Sequence, residues 1–180
     1  MNKEELRKRY KIIRDNINNR DKKSSEIIKR LINTKEYQKS KVIALYSNIS
    51  SEVETKELIK ISLESKKVVL PKINKDNTMD FYEINCLKDL EVGAFNIKEP
   101  KVKNKKPIKK EEIDLIIIPG ICFDKNRNRI GYGKGYYDKY LSNTNIKKIG
   151  LCYEEQITKE IKSDKTDIRL DYLITEIKIY

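Results

Sequence analysis

The sequence predicts an α/β fold: three layers, α/β/α, around a mostly parallel central sheet, in a single domain over residues 1–180. Three observations carry this. Short β-branched apolar runs at 41–46, 68–71 and 113–119 have the character of strands buried on both faces. Stretches with helical spacing of apolar residues lie before and between them. The length suits one core, and no repeat or change in composition marks an internal boundary.

The first element is an amphipathic helix over residues 3–18, because Leu6, Tyr10, Ile13 and Ile17 form one stripe. Lys3, Arg7 and Arg14 fall within ~40° of one another beside that stripe. Spacing leaves two readings: a solvated flank with snorkelling stems, or cations presented at the edge of whatever the helix covers. A second helix is expected over 24–31, capped by Ser24 or Ser25. The run 41–46 is the first strand. Ser51 and Glu54 then have the spacing of a capping box. This predicts a helix starting there, with Glu52 in its first turn, where the helix dipole alone would account for an acid.

Residues 68–71 form the next strand, stopped by Pro71, and 79–84 a hairpin or edge strand. Residues 98–110 hold seven lysines and two prolines without apolar periodicity, and are expected to be a mobile surface loop. The clearest strand is 113–119. A helix follows over 135–141, and strands over 146–153 and 172–180 complete the sheet.

Composition excludes several chemistries. There is no histidine, so His-based triads, His general bases and His-containing metal sites are absent. Cys86, Cys122 and Cys152 are isolated and odd in number, and each lies in or beside an apolar run. They suggest buried thiols of a reducing cytoplasm. Met1 leads directly into a charged helix, and no apolar stretch has the length of a membrane span, so a cytoplasmic protein without a membrane partner is expected. A net charge of +12 attracts anions, and by itself does not choose among nucleotides, nucleic acid and small polyanions.

The densest signal lies at 118–141. Three of the six glycines alternate as Gly131, Gly133 and Gly135, and four of the eleven tyrosines fall between 132 and 140. Arg129, Lys134 and Asp138 are interleaved with them. Glycine lets backbone amides approach an anion closely. Yet the loop fits neither familiar phosphate motif: Gly133-Lys134 is followed by Gly135-Tyr136 rather than by a hydroxyl residue, and the third glycine is one place early for a dinucleotide fingerprint. Two cations, close backbone and an acid one turn later suit a triphosphate with Mg²⁺. The tyrosines offer flat faces to a heterocycle. A nucleic-acid reader could draw on the same cations and aromatics.

The run Pro119-Gly120, Phe123-Asp124, then Arg129-Ile130-Gly131-Tyr132-Gly133-Lys134-Gly135-Tyr136-Tyr137-Asp138, resembles the signature of the 5-formyltetrahydrofolate cyclo-ligase family, also called methenyltetrahydrofolate synthetase. The resemblance extends along most of the chain. Lys3-Glu4-Glu5-Leu6-Arg7 is similar to the family's opening segment, 36–46 to its first strand and lead-in, and Glu52-Val53-Glu54-Thr55 to its acidic segment. Glu99-Pro100, Gln156 and Asp167 fall at matching places. Where bacterial members have His-Asp, this chain has Thr166-Asp167.

The resemblance implies a reaction in which ATP and 5-formyltetrahydrofolate, with or without a polyglutamate tail, give 5,10-methenyltetrahydrofolate, ADP and phosphate with Mg²⁺. The formyl oxygen would be phosphorylated, and ring closure would expel phosphate. It implies ATP contacts at Lys3, Glu4, Glu5, Leu6, Arg7 and from Arg129 through Ile130, Gly131, Tyr132, Gly133, Lys134, Gly135 and Tyr136 to Tyr137. Folate contacts fall on Ser47, Glu52 and Tyr136, and Mg²⁺ ligands on Asp138 and Asp167; Arg129, Lys134 and Tyr136 are the candidate catalytic residues. A monomer or weak homodimer is expected, and nucleic acid is not an expected partner. Two other readings compete: a relative that has exchanged catalysis for RNA binding, and a kinase of another heterocycle. If the first reading holds, Lys3 and Arg7 must fold back to meet the glycine loop.

Overall fold

The computed structural model describes residues 1–93 and 96–180. At its centre is a six-stranded sheet. From one edge to the other run β11 (Tyr172–Ile174), β9 (Lys147–Leu151), β6 (Leu115–Ile118), β1 (Val42–Ala44), β2 (Lys67–Ile73) and β3 (Met79–Ile84). All neighbours are parallel except β2 and β3, which form an antiparallel pair at the edge. In register, Ile43 pairs with Val68 on one side and Leu115 on the other, and Ile117 pairs with Ile149.

Side chains alternate across a strand, so each apolar run supplies two faces. Ile43, Leu45, Val68, Leu70, Leu115 and Ile117 face α2 (Arg20–Ile32), α3 (Lys35–Lys39) and α4 (Lys56–Leu63) through Ile27, Leu31, Tyr37 and Leu58. Ala44, Val69, Ile116 and Ile118 face the other way, onto Phe81, Phe123, Tyr140 and Leu141, the last two from α5 (Tyr136–Leu141). Each fully buried aliphatic side chain contributes roughly 1.5–3 kcal/mol, and both faces are filled. The three-layer α/β/α arrangement is therefore as expected.

A second, three-stranded sheet of β10 (Ile157–Thr158), β7 (Cys122–Asp124) and β8 (Arg129–Ile130) follows the central strand β6. The helix α1 (Lys3–Asp15) packs here rather than on the main sheet: Leu6 and Tyr10 meet Ile121, Cys122, Ile130 and Ile161. The start of α1 is fixed by a capping box in which Asn2 and Glu5 satisfy each other's backbone amides. The turn between β7 and β8 is held by the buried Asp124, which accepts from the Asn128 side chain and backbone and from the Ile161 amide.

Several expectations need correction. The helix predicted to start at Ser51 begins at Lys56 with Thr55 at its cap, and the intervening loop is held by tertiary bonds. The Thr55 hydroxyl donates to the Tyr46 carbonyl and the Tyr46 hydroxyl to that of Val53. Glu52 is therefore not in a helix turn. The helix expected over 24–31 starts earlier, at Arg20, after Asn19 in the left-handed region. Of residues 98–110 only the start departs from a surface loop, since 101–109 carry no helix or strand and are mostly exposed. β5 (Lys98–Pro100) pairs antiparallel with β4 (Leu90–Val92), burying Glu99 and Pro100, and further on the Ile108 amide donates to Phe81 of β3. The last strand ends at Ile174, and the chain turns back so that Ile179 bridges to it. Cys122 and Cys152 are buried, but Cys86 is exposed.

Candidate active site at the reversal of strand order

From β1 the chain adds β2 and β3 on one side; β6, β9 and β11 are then added on the other. Between β1 and β6 the strand order reverses, and in open α/β sheets the crevice at the carboxyl ends of such strands is the ligand site. A cavity of about 980 Å³ opens there. Tyr46 and Ser47, just past β1, and Pro119, just past β6, line it.

The cavity gathers residues from several separate segments. The helix α1 contributes Lys3 and Arg7, and the segment before α4 contributes Glu52. The whole stretch Arg129 to Lys139 lines it, and so does Asp167 with its neighbours. Arg7 Nε donates to the Gly131 carbonyl at 3.0 Å, across 124 residues of sequence. The expected meeting of the first helix with the glycine loop therefore takes place. Gly133 and Gly135 have φ of +93° and +67°, which a side chain would strain. The helix after them, α5, has only six residues, so its dipole adds little.

Most expected site residues share this cavity, and three do not line it. Lys3, Arg7, Ser47, Glu52, Arg129, Ile130, Gly131, Tyr132, Gly133, Lys134, Gly135, Tyr136, Tyr137, Asp138 and Asp167 all line it. Glu4 is exposed and pairs with Lys8, Glu5 caps the helix, and Leu6 is buried against the small sheet.

The charges alternate. Arg129 is buried; its Nη2 lies 3.2 Å from each Asp138 oxygen, and its guanidinium carbon sits 5.7 Å from the Tyr137 ring centroid. Its buried Nε has no hydrogen-bond acceptor among the described residues. Lys3 Nζ bridges Asp164 and Asp167. Burial opposes both charges of the Lys3–Asp167 pair, but hydrogen bonds prevail: those to Asp164 and Asp167 raise the lysine, and those from Lys3 and the Asp164 amide lower Asp167. The Ile168 amide donates to Asp138, tying the segment of Asp167 to α5. Lys134 is exposed at the mouth.

At the other end Glu52 is 6% exposed. Its Oε2 accepts from the Ile49 amide at 2.9 Å and its Oε1 from the Tyr132 hydroxyl at 2.8 Å. Burial raises its carboxyl above the ordinary range, against those two bonds and the charge of Arg14. Arg14 is the residue that sequence reasoning left undecided. It is 1% exposed, and its guanidinium donates to Ser51 Oγ, the Gly120 carbonyl and the Tyr132 hydroxyl. The signal was its place on the stripe with Lys3 and Arg7.

Fold and cavity together define an α/β protein with a cleft at the carboxyl edge of its sheet, lined with cations at one end and holding a buried carboxylate at the other. The chain matches the model of the 5-formyltetrahydrofolate cyclo-ligase family over residues 1–176 and belongs to that family, an enzyme family of ligases. A Schizosaccharomyces pombe protein named "Probable 5-formyltetrahydrofolate cyclo-ligase" is 34% identical over 88% of this chain and 86% of its own. The 5-formyltetrahydrofolate cyclo-ligase of Haemophilus influenzae is 31% identical over 71% of this chain and 72% of its own. Among solved structures, 5,10-methenyltetrahydrofolate synthetase of Aquifex aeolicus superposes with a TM-score of 0.88 at 35% identity, covering 99% of this chain and 92% of that one.

Proposed function

We propose that the protein cyclises 5-formyltetrahydrofolate to 5,10-methenyltetrahydrofolate, using ATP and Mg²⁺ and releasing ADP and phosphate. The observation that carries this reading is the convergence of Arg7, Arg129 and the glycine loop with the buried Glu52 in one cavity. Cations and close backbone suit a polyphosphate, and a buried acceptor-only carboxylate suits the amino and ring N–H groups of a pterin. Each Glu52 oxygen accepts one short hydrogen bond and keeps capacity for another.

The residues also fit a magnesium ion. Mg²⁺ is usually held by one or two carboxylates together with substrate phosphate oxygens, and Asp138 and Asp167 line the same rim. They would hold the ion, which when bound supplies charge neutralisation at the phosphates. Both acids now engage cations, Arg129 and Lys3, which are the groups suited to phosphate oxygens. Binding of Mg·ATP would then re-pair four charges without leaving any of them alone.

The chemistry needs activation of a formamide oxygen, which is a poor leaving group. In-line approach of the γ-phosphoryl to that oxygen is the role assigned to Arg7, Arg129 and Lys134, through positioning and charge. The formyl carbon, its oxygen now phosphorylated, is then an electrophile for nitrogen 10: the nitrogen–carbon bond forms, nitrogen 10 gives up its proton, and the carbon–oxygen bond breaks to release phosphate. Tyr136, at the first turn of α5, lines the same cavity and would border both ligands. No step requires a histidine.

The test is to mix purified protein, Mg·ATP and 5-formyltetrahydrofolate and to follow the near-ultraviolet band of the methenyl product together with ADP release. A rise that depends on both ATP and folate is expected. ATP hydrolysis without the band would overturn the cyclisation, and no turnover of either would overturn the reading as a whole. Asp138→Asn should slow turnover at least tenfold through lost metal positioning, and an unchanged rate would remove it from the metal site.

A further inference from the structure

The buried guanidinium of Arg14 has no place in the reaction just described and does not line the cavity, yet it touches Tyr132 and lies beside Glu52, which both do. It reaches Ser51, beside Glu52, through Nε at 3.0 Å. Nη1 donates to the Gly120 carbonyl at 3.1 Å, at the end of the central strand, and lies 3.9 Å from Glu52 Oε1. Nη2 donates to the Tyr132 hydroxyl at 2.8 Å. That hydroxyl in turn donates to Glu52 at 2.8 Å. The guanidinium carbon also lies 5.6 Å from the Tyr132 ring centroid.

We propose that Arg14 and the Tyr132 hydroxyl form a positioning relay that holds Glu52 in its folate-binding geometry and fastens the glycine loop to it. The inference rests on the reading of Glu52 as a folate contact. Tyr132 is 43% exposed, on a loop whose flanking residues are glycines. Its ring gains little from packing there, so the hydroxyl bonds define where the loop sits. Arg14, by contrast, is held firmly: a planar fork whose three nitrogens each donate to an acceptor from a different segment. A group that orders the loop thereby also orders the carboxylate, and occupation of either end of the cavity favours the geometry needed at the other.

The groups that face Glu52 are Arg14 from α1, Tyr46 after β1, Tyr132 from the glycine loop and Tyr137 from α5; the Tyr153 hydroxyl donates to the Glu52 backbone carbonyl. Arg14 is the cation among them. Its charge and the Tyr132 hydrogen bond both favour ionised Glu52, while burial disfavours it.

The experiment measures the dissociation constant of 5-formyltetrahydrofolate, without nucleotide, as a function of pH. Tyr132→Phe removes one oxygen from a partly exposed ring and leaves folding intact, which a melting curve checks. About a tenfold weaker affinity is expected, with the acid limb of the profile moved up by about one pH unit, the counterpart of that factor. Arg14→Lys keeps the charge but loses the fork, and should move the limb in the same direction by less. Glu52→Gln separates the two levels of the argument. If it weakens folate binding while Tyr132→Phe and Arg14→Lys leave both affinity and limb unchanged, the relay is wrong. If Glu52→Gln itself has no effect on affinity, the reading of Glu52 fails and the relay with it.

Discussion

Asp15 and Glu52 illustrate how differently two acids near one site are tuned. Hydrogen bonds from Lys11 and Ser51 hold Asp15 below the ordinary carboxylate range, although burial works against them. Glu52, deeper, is pushed the other way. A carboxyl whose folded value is depressed adds stability above its unfolded pKa of about 3.9, and that stability is lost as pH falls through the folded value. Asp15→Asn should therefore lower the melting temperature modestly at neutral pH and flatten its fall below about pH 4, since the side chain is partly exposed and solvent screens the pair. Melting curves of both proteins from pH 7 to pH 3 check this; parallel curves would contradict it. At this scale residue identities were legible and partners were not. The glycine alternation, Arg129 and Asp138 stood out in the sequence because they are local. Ser51 had the right spacing for a capping box, but its hydroxyl bonds Asp15 and Arg14 instead. Local propensity lost there to a buried guanidinium 37 residues away.

The element that decides the site is α1. Its apolar stripe predicted a helix over 3–18, but α1 ends at Asp15, Ile17 joins the main core instead, and the surface that α1 covers was not predicted. That surface is the three-stranded sheet of β10, β7 and β8, whose strands have two or three residues each and so carry too little pattern to read. By docking there, α1 brings Lys3 to the segment of Asp167, and Arg7 and Arg14 to the glycine loop, whose first residues continue directly from β8. Truncating Leu6, which is 4% exposed in that interface, should cost about 2–5 kcal/mol as a core cavity does. Unlike an equal cavity elsewhere, it should also raise the KM for ATP severalfold. Ile27→Ala under the main sheet, where Ile27 is fully buried, is the control: a comparable loss of melting temperature with an unchanged KM. Equal effects on KM from both would show that α1 is not the specific carrier of the phosphate-binding cations. The segment 98–110 carries the opposite lesson. Its lysines read as a loop, yet Lys98–Pro100 pairs with β4 and takes one wall of the cavity, because backbone pairing and burial of Glu99 and Pro100 do not depend on apolar periodicity.

For the whole molecule, the cavity is a junction of α1, the segment after β1, the glycine loop and the segment of Asp167. A ligand that touches all four should stabilise them together. At a hundred times its dissociation constant, a ligand bound only to the native state adds about 2.7 kcal/mol. Mg·ATP with a non-reacting folate should raise the melting temperature and slow amide exchange in α1 and at 129–138 more than in α2 and α3, which lie on the opposite layer. Uniform protection would mean that the ligand stabilises the fold without bridging these segments. Among the described residues no helix is long and apolar enough to cross a membrane.

The sequence alone determined the alternation of apolar runs that makes a parallel sheet with two covered faces, because strand and helix periodicities are local properties of side-chain order. It also determined the inventory of the site: no histidine, a glycine-tyrosine loop with interleaved charges, and acids at 52, 138 and 167. Tertiary structure alone decided that α1 docks on the small sheet, that Glu52 leaves the helix turn for a buried place in the cavity, and that Arg14 joins Glu52 to Tyr132. These outcomes hang on contacts between distant residues, 80 positions apart for Glu52 and Tyr132, 118 for Arg14 and Tyr132, and 147 for Tyr10 and Ile157. Such contacts form only after the sheet has fixed where each segment ends, and no window of sequence contains both partners.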